Sequence, residues 1–307
     1  MRIAKSIVLL SCLCLATMPC TTNADDQPLA KNTAEQQMQQ LHATLKKAND
    51  TLEKLIKSFE DKIEYRHPML LSLPGFKALY SVLENGELVL VEGTSLPQHA
   101  LLWKSVAQVY GDARSALTSF AVFDTDAKLA GATVWTNAKQ RKFGLAINGH
   151  WATTTASIQA IAIHELGHTY GRSRGWGAFI KENGCPERIF NQGYVDPVVS
   201  EFYTRFWQHC SDKDSPRATR TWKNFVTPYA AVRVEEDVAE SYTAFVLCDM
   251  PSAQKKDMRA EKLQVFWHDP AFVKIRSDLR ARIGEKTIRQ IKGEFGYYCR
   301  PNIADWE

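Results

Sequence analysis

A helical run of apolar residues cannot enclose two histidines and a glutamate without giving them partners, and the chain sets this constraint at Ala160-Ile161-Ala162-Ile163-His164-Glu165-Leu166-Gly167-His168. Residues four apart on an α-helix differ by about 400° of rotation and about 6 Å of rise. His164 and His168 therefore project from one face and can converge on one ion. The His-Glu-x-x-His spacing is that of a zinc site whose glutamate serves as general base. Glu165 leaves the helix at an angle ill suited to ligating the same ion, but its carboxylate can reach a water at an open coordination position. The bland alternative is a pair of core histidines satisfied by ordinary hydrogen bonds.

Such a site needs a third protein ligand, and the stretch Arg233-Val234-Glu235-Glu236-Asp237-Val238-Ala239-Glu240-Ser241-Tyr242 offers candidates. Glu236 and Glu240 stand one turn apart on an expected helix, so one carboxylate can bind the metal while the other hydrogen-bonds a ligating histidine. Asp237 stays open as an alternative ligand, as do Glu235 and Glu240 after a shift of helix register. Acids at a helix start also complement its dipole, so a merely solvated face is the competing reading, and it fits Glu235 and Asp237 better than Glu240.

His-Glu-x-x-His followed on a later helix by Glu-x-x-x-Glu resembles the pattern of the gluzincin metallopeptidases. Within them, Tyr229-Ala-Ala-Val-Arg-Val-Glu235-Glu236-Asp237-Val-Ala-Glu240-Ser-Tyr242 is similar to the corresponding stretch of anthrax-lethal-factor-type catalytic domains. The resemblance spans about His164 to Tyr242. It implies a zincin-like fold, Zn²⁺ held by His164, His168 and Glu236, Glu240 supporting a ligand, and Tyr229 donating a hydrogen bond to the reacting carbonyl. It also implies that the strand before the motif helix is an edge strand, with main-chain groups of Leu145, Ala146 and Ile147 on a peptide substrate. An interior strand with no free edge is the alternative there. The 67 residues between His168 and Glu236 depart from the pattern as a long insertion that contains Cys185 and Cys210.

The rest of the chain reads as α+β, a small mixed sheet followed by a largely helical C-terminal half. Strands are expected at Glu87–Val91, Phe120–Phe123, Ala132–Thr136 and Phe143–Asn148, with Asn85-Gly86 as a turn. Helices are expected at Pro97–Tyr110, Thr153–Tyr170, Val198–His209 and Arg233–Met250, with two or three more before Tyr298. Upstream, Leu41, Leu45, Leu52, Leu55, Ile56, Phe59 and Ile63 recur at helical spacing within Thr33–Glu64, and His67-Pro68 ends the pattern. This segment reads as an amphipathic helix, because its heptads are not sustained long enough for a coiled coil.

Arg2 and Lys5, the apolar run Ile7–Met18 and the small-residue site Thr22-Asn23-Ala24 read as a secretory signal peptide cleaved after Ala24. The run is nearer a dozen residues than the roughly 18–20 that spanning a bilayer takes, so no membrane span is expected in the mature chain. Lipid attachment at Cys20 is the alternative, disfavoured by Met18 and Pro19 just before it. The organisation that follows is 1–24 signal peptide, 25–68 helical segment and 69–307 zincin-like domain. The formal net charge of +4 falls to +2 once Arg2 and Lys5 are removed, which leaves no basic field for nucleic acid.

Four cysteines remain, Cys185, Cys210, Cys248 and Cys299, an even number suited to an oxidising compartment. Sequence proximity favours Cys185–Cys210 with Cys248–Cys299 among the three possible pairings. A four-cysteine zinc site lacks its usual short knuckles here. Together these readings describe a secreted or periplasmic zinc metalloendopeptidase acting on a peptide or protein substrate. A zinc-stabilised binding protein and a zinc hydrolase of non-peptide amides are the other classes the residues allow.

Overall fold

The computed structural model of the chain describes residues 36–51, 67–137, 141–171, 197–207, 224–251 and 257–299. It divides into two units, Met1–Lys62 and Ile63–Glu307. In the first, residues 36–51 form a helix, where the leucine spacing predicts one.

The second unit begins with a hairpin. The turn at Asn85-Gly86 links β1 (Phe76–Val82) to β2 (Leu88–Gly93), and Gly86 takes φ +83°, a conformation L side chains rarely adopt. Three more strands, β3 (Leu117–Phe123), β4 (Gly131–Asn137) and β5 (Lys142–Asn148), complete a five-stranded mixed sheet of order β2-β1-β3-β5-β4. β5 pairs parallel to β3 and antiparallel to β4, so Leu145 faces Phe120 on one side and Thr133 on the other. The sequence marks four of these strands to within a few residues and does not mark β1, whose pairing with both β2 and β3 is a tertiary arrangement.

Alternate side chains of the sheet feed two cores. Tyr80, Phe120, Leu145 and Ile147 pack with the helices in the main cluster. Leu79, Ala121, Phe123, Val134 and Ala146 form a smaller cluster with Leu70 on the opposite face.

The main face is covered by α1 (Pro97–Tyr110) and α2 (Thr155–Gly171). α2 starts on a reciprocal cap: the Ser157 amide donates to the Thr154 hydroxyl oxygen, and the Thr154 amide donates to the Ser157 hydroxyl oxygen. α3 (Val234–Leu247) lies against α2 and is buried along its whole length. Three further helices, α4 (Met258–Trp267), α5 (Pro270–Ile283) and α6 (Glu285–Glu294), lead to a short turn, Gly296–Cys299. Val198–His209, expected as one helix, is a short helix Pro197–Phe202 that widens into a π turn at Tyr203–Trp207. His209 lies outside the described residues.

Cys248, the residue that follows α3, is bridged to Cys299 with Cα atoms 5.4 Å apart, as sequence proximity predicts. Cys185 and Cys210 lie outside the described residues. Among the described residues, no helix is long and apolar enough to cross a membrane.

The α2–α3 crossing is unusually close at Gly167. A Cβ placed there would stand 2.8 Å from the Ala239 Cα and 3.1 Å from its carbonyl oxygen, inside ordinary contact distance with backbone. Gly167→Ala is therefore expected to destabilise the protein by about 1–3 kcal/mol through overpacking. Helix propensity alone predicts the opposite sign, a gain of about 1 kcal/mol. Chemical denaturation of the two proteins decides between them, and a more stable alanine variant would contradict the packing read here.

Candidate metal centre

α2 presents His164 and His168 one above the other, with their rings 4.7 Å apart in an edge-to-face arrangement. α3 approaches across Gly167 and lays Glu236 against both. Glu236 Oε2 stands 3.3 Å from His164 Nε2 and 3.2 Å from His168 Nε2. These three residues are the group among the described residues whose donor atoms lie close enough together to hold a metal ion.

The pattern of partners decides what those three atoms offer. His164 Nδ1 lies 2.6 Å from Glu240 Oε1 and is set to donate to it, which in the neutral ring leaves the lone pair on Nε2. Glu236 Oε1 accepts from the Arg233 guanidinium, whose Nε is 3.0 Å away. Its buried Oε2 has no hydrogen-bond donor among the described residues. Ligand atoms about 2.0–2.1 Å from a common tetrahedral centre lie about 3.3 Å apart, which is the separation found between Glu236 Oε2 and each imidazole nitrogen. The three residues could therefore hold a metal ion.

Charge points the same way. Burial alone would lower the affinity of His164 for a proton, but the Glu236 and Glu240 carboxylates beside it outweigh burial and raise its pKa well above the ordinary imidazole value. Burial would raise Glu236, yet the two histidines hold it far below the usual carboxylate range. Glu165, Glu236 and Glu240 thus bring three carboxyl groups into a small buried volume. A cation between the imidazoles and Glu236 would be drawn to such a cluster.

Glu165 sits beside the triad without joining it. Its Oε2 accepts from the Thr133 hydroxyl at 2.7 Å, and its Oε1 lies against Gly131, where a Cβ would stand only 2.7 Å away. Tyr229 is half exposed, with its ring 6.0 Å from that of His164. Burial and then the neighbouring Glu236 carboxylate raise its phenol well above the ordinary value, so it stays protonated. Glu240 is held by three donors, the Thr227 and Tyr298 hydroxyls and His164 Nδ1.

Asp237, an alternative third ligand on sequence grounds, points away from the histidines. Its Oδ2 is 2.6 Å from the buried Lys262 Nζ and accepts from Trp207 Nε1 at 2.9 Å. Glu235 is not in the triad either. Neither is a solvated acid, because all of Glu235, Glu236, Asp237 and Glu240 are buried.

One expectation is corrected. Leu145, Ala146 and Ile147 cannot offer main-chain groups to a substrate, since β5 is paired on both sides and these residues have no exposed surface. Among the described strands, β4 is the edge on that side of the sheet. Its first residue, Gly131, lines a cavity of about 590 Å³ together with Leu129, Trp151, Ile161, His164 and Glu165. Tyr229, Phe295, Tyr297 and Tyr298 also line that cavity. Spacing along the chain carries no signal for Thr133, Thr227 or Tyr298, which reach the site through the fold, whereas Arg233 stands three residues before Glu236 on the same helix start.

Comparison with protein-family models, with curated proteins and with solved structures finds no match. What stands is the buried triad and the α+β fold around it.

Replacing Glu236 by alanine should weaken metal retention by far more than replacing Glu235, because only the first removes a donor atom from the centre. Elemental analysis of the purified variants after dialysis reads the difference. Equal metal content in Glu236→Ala and Glu235→Ala would mean that the third donor lies elsewhere.

Proposed function

We propose that the chain is an exported zinc metallopeptidase that hydrolyses peptide bonds with Glu165 as general base. The observation that carries this reading is the coincidence of three features at one place. A centre with three donor atoms, a carboxylate outside the donor set and an open cavity all meet at His164 and Glu165. A purely structural metal site is usually closed by four protein donors and has no need of the last two features.

A zinc ion held by His164, His168 and Glu236 would supply Lewis acidity toward a carbonyl oxygen and toward water. Thr133 fixes one oxygen of Glu165 and leaves the other at the cavity wall beside Gly131. From there Glu165 takes the proton of the attacking water and passes it to the leaving amine. Tyr229, protonated and half exposed, would donate to the oxygen that gains charge in the transition state. The start of β4 borders the same cavity, so an extended peptide can pair with that edge, and Trp151, Ile161 and Phe295 offer apolar surface to one of its side chains. Export is supported by the leader-like segment Arg2–Ala24 and by a disulfide of the kind that persists in oxidising compartments.

Glutamine keeps the size of Glu165 but cannot accept a proton from water. Glu165→Gln should therefore retain zinc and thermal stability while cleavage of a broad peptide library falls to below about one hundredth of the parent rate. A zinc-stabilised binding protein predicts no cleavage by either form. Equal cleavage at equal zinc occupancy would remove Glu165 from the mechanism.

A further inference from the structure

Glu240 does not bind the metal centre directly, yet three separate parts of the chain are spent on holding it. Its Oε2 accepts from Thr227, whose hydroxyl oxygen in turn accepts from the Ala230 amide and so orders the turn that begins at Tyr229. Its Oε1 accepts from His164 Nδ1 and, at 2.9 Å, from the hydroxyl of Tyr298. Tyr298 lies 58 residues beyond Glu240 in sequence, and it is buried.

Tyr298 stands next to a covalent link. Its neighbour Cys299 is bridged to Cys248, the first residue after α3, the helix that carries both Glu236 and Glu240. Cys248 lies eight positions beyond Glu240, a rise of about 12 Å along a helix. The turn Gly296–Cys299 runs back over this stretch, and the length of the tyrosine side chain covers the remaining distance. Between the two half-cystines the chain travels through α4, α5 and α6. Without the bridge, placing Tyr298 would depend on the ordering of that whole excursion.

We propose that Tyr298, fastened over α3 by the Cys248–Cys299 bridge, is a positioning residue of the metal centre, acting through Glu240 on the orientation of His164. The hydroxyl holds the carboxylate oxygen that His164 Nδ1 donates to, and that bond fixes both the tautomer and the direction of the Nε2 lone pair. The bridge thereby tunes metal affinity as well as stability. The proposal rests on the metal-binding part of the function proposed above and is independent of peptide hydrolysis.

The test is zinc affinity, measured by competition with a chromophoric chelator on the full-length protein, with the visible spectrum of the Co²⁺-substituted form as a second readout. Tyr298→Phe removes one oxygen and keeps the ring in its place, so folding is expected to survive. Its zinc affinity should fall by about 10-fold or more, in the range usual for groups that orient a ligand, and the Co²⁺ bands should shift. The paired variant Cys248→Ala/Cys299→Ala should lose a similar factor. Tyr298→Phe added to that pair, or to Glu240→Ala, should cost little more, because the same link is already broken.

A Tyr298→Phe protein that melts earlier but binds zinc within a factor of about two of the parent, with unchanged Co²⁺ bands, overturns the proposal and leaves the tyrosine a packing residue. A bridge variant with parental affinity overturns the role of the disulfide. A parent protein that takes up no zinc at all overturns this proposal and the metal centre together, whereas the preceding outcomes leave the metal centre standing.

Discussion

Where Gly167 of α2 meets the backbone of Ala239 on α3, two buried helices approach closely enough for side chains of ordinary length to share one point in space. The histidines flank that crossing on one helix and the glutamates flank it on the other. A side chain at Gly167 would hold the helices apart and move Glu236 away from both imidazoles. The same glycine that relaxes helix propensity inside the motif is thus the condition for its convergence on α3. Burial follows from this crossing, and burial creates the electrostatic demand: each carboxylate removed from water costs several kcal/mol unless it is compensated. Arg233 compensates one oxygen of Glu236, Thr133 one of Glu165, and Thr227, Tyr298 and His164 those of Glu240. Of the two oxygens left over, Glu165 Oε1 lies beside Gly131 and Glu236 Oε2 faces the two imidazole nitrogens.

Asp237 illustrates how little separates a ligand from a structural acid. It is the next residue on the same helix, is equally buried, and has its carboxylate spoken for by Lys262 and Trp207. Lys262 also donates to the Asn224 carbonyl and lies 3.8 Å from the centre of the Phe225 ring. The pair therefore ties α4 to the segment that carries Thr227 and Tyr229. Buried ion pairs of this kind contribute little net stability, but removing one partner leaves an uncompensated charge. This one turns Asp237 away from the histidines and fixes the register that presents Glu236 and Glu240 to them.

Much of the site is legible in the amino-acid sequence, because its logic is local. His164 and His168 are set by helical spacing, Glu236 and Glu240 by one turn of the next helix, and both helices end within a few residues of where periodicity places them. The α+β class follows from the same patterns. What is not legible is what depends on strand order. Phe143-Gly-Leu-Ala-Ile147 is apolar without alternation, the mark of a strand buried on both faces, whereas the alternation in Ala132-Thr-Val-Trp-Thr136 suits an edge. Adjacency to the motif helix masks that difference and points to the wrong strand as the edge. Tyr298 carries no signature at all, apart from standing next to a cysteine, because the chain between it and Glu240 is folded into three helices. The acids at the start of α3 look like a solvated, dipole-complementing face, and only the packing of the whole helix shows that none of them is exposed.

The most direct measurement of the central claim is zinc K-edge X-ray absorption on the purified, full-length protein. The account predicts about one zinc per chain, with a first shell of nitrogen and oxygen at about 2.0–2.1 Å and the outer-shell scattering of two imidazoles. A first shell containing sulfur at about 2.3 Å would place the metal on cysteines, and a protein that retains no zinc would leave His164, His168 and Glu236 without the ion that their geometry fits. Either result would contradict the account.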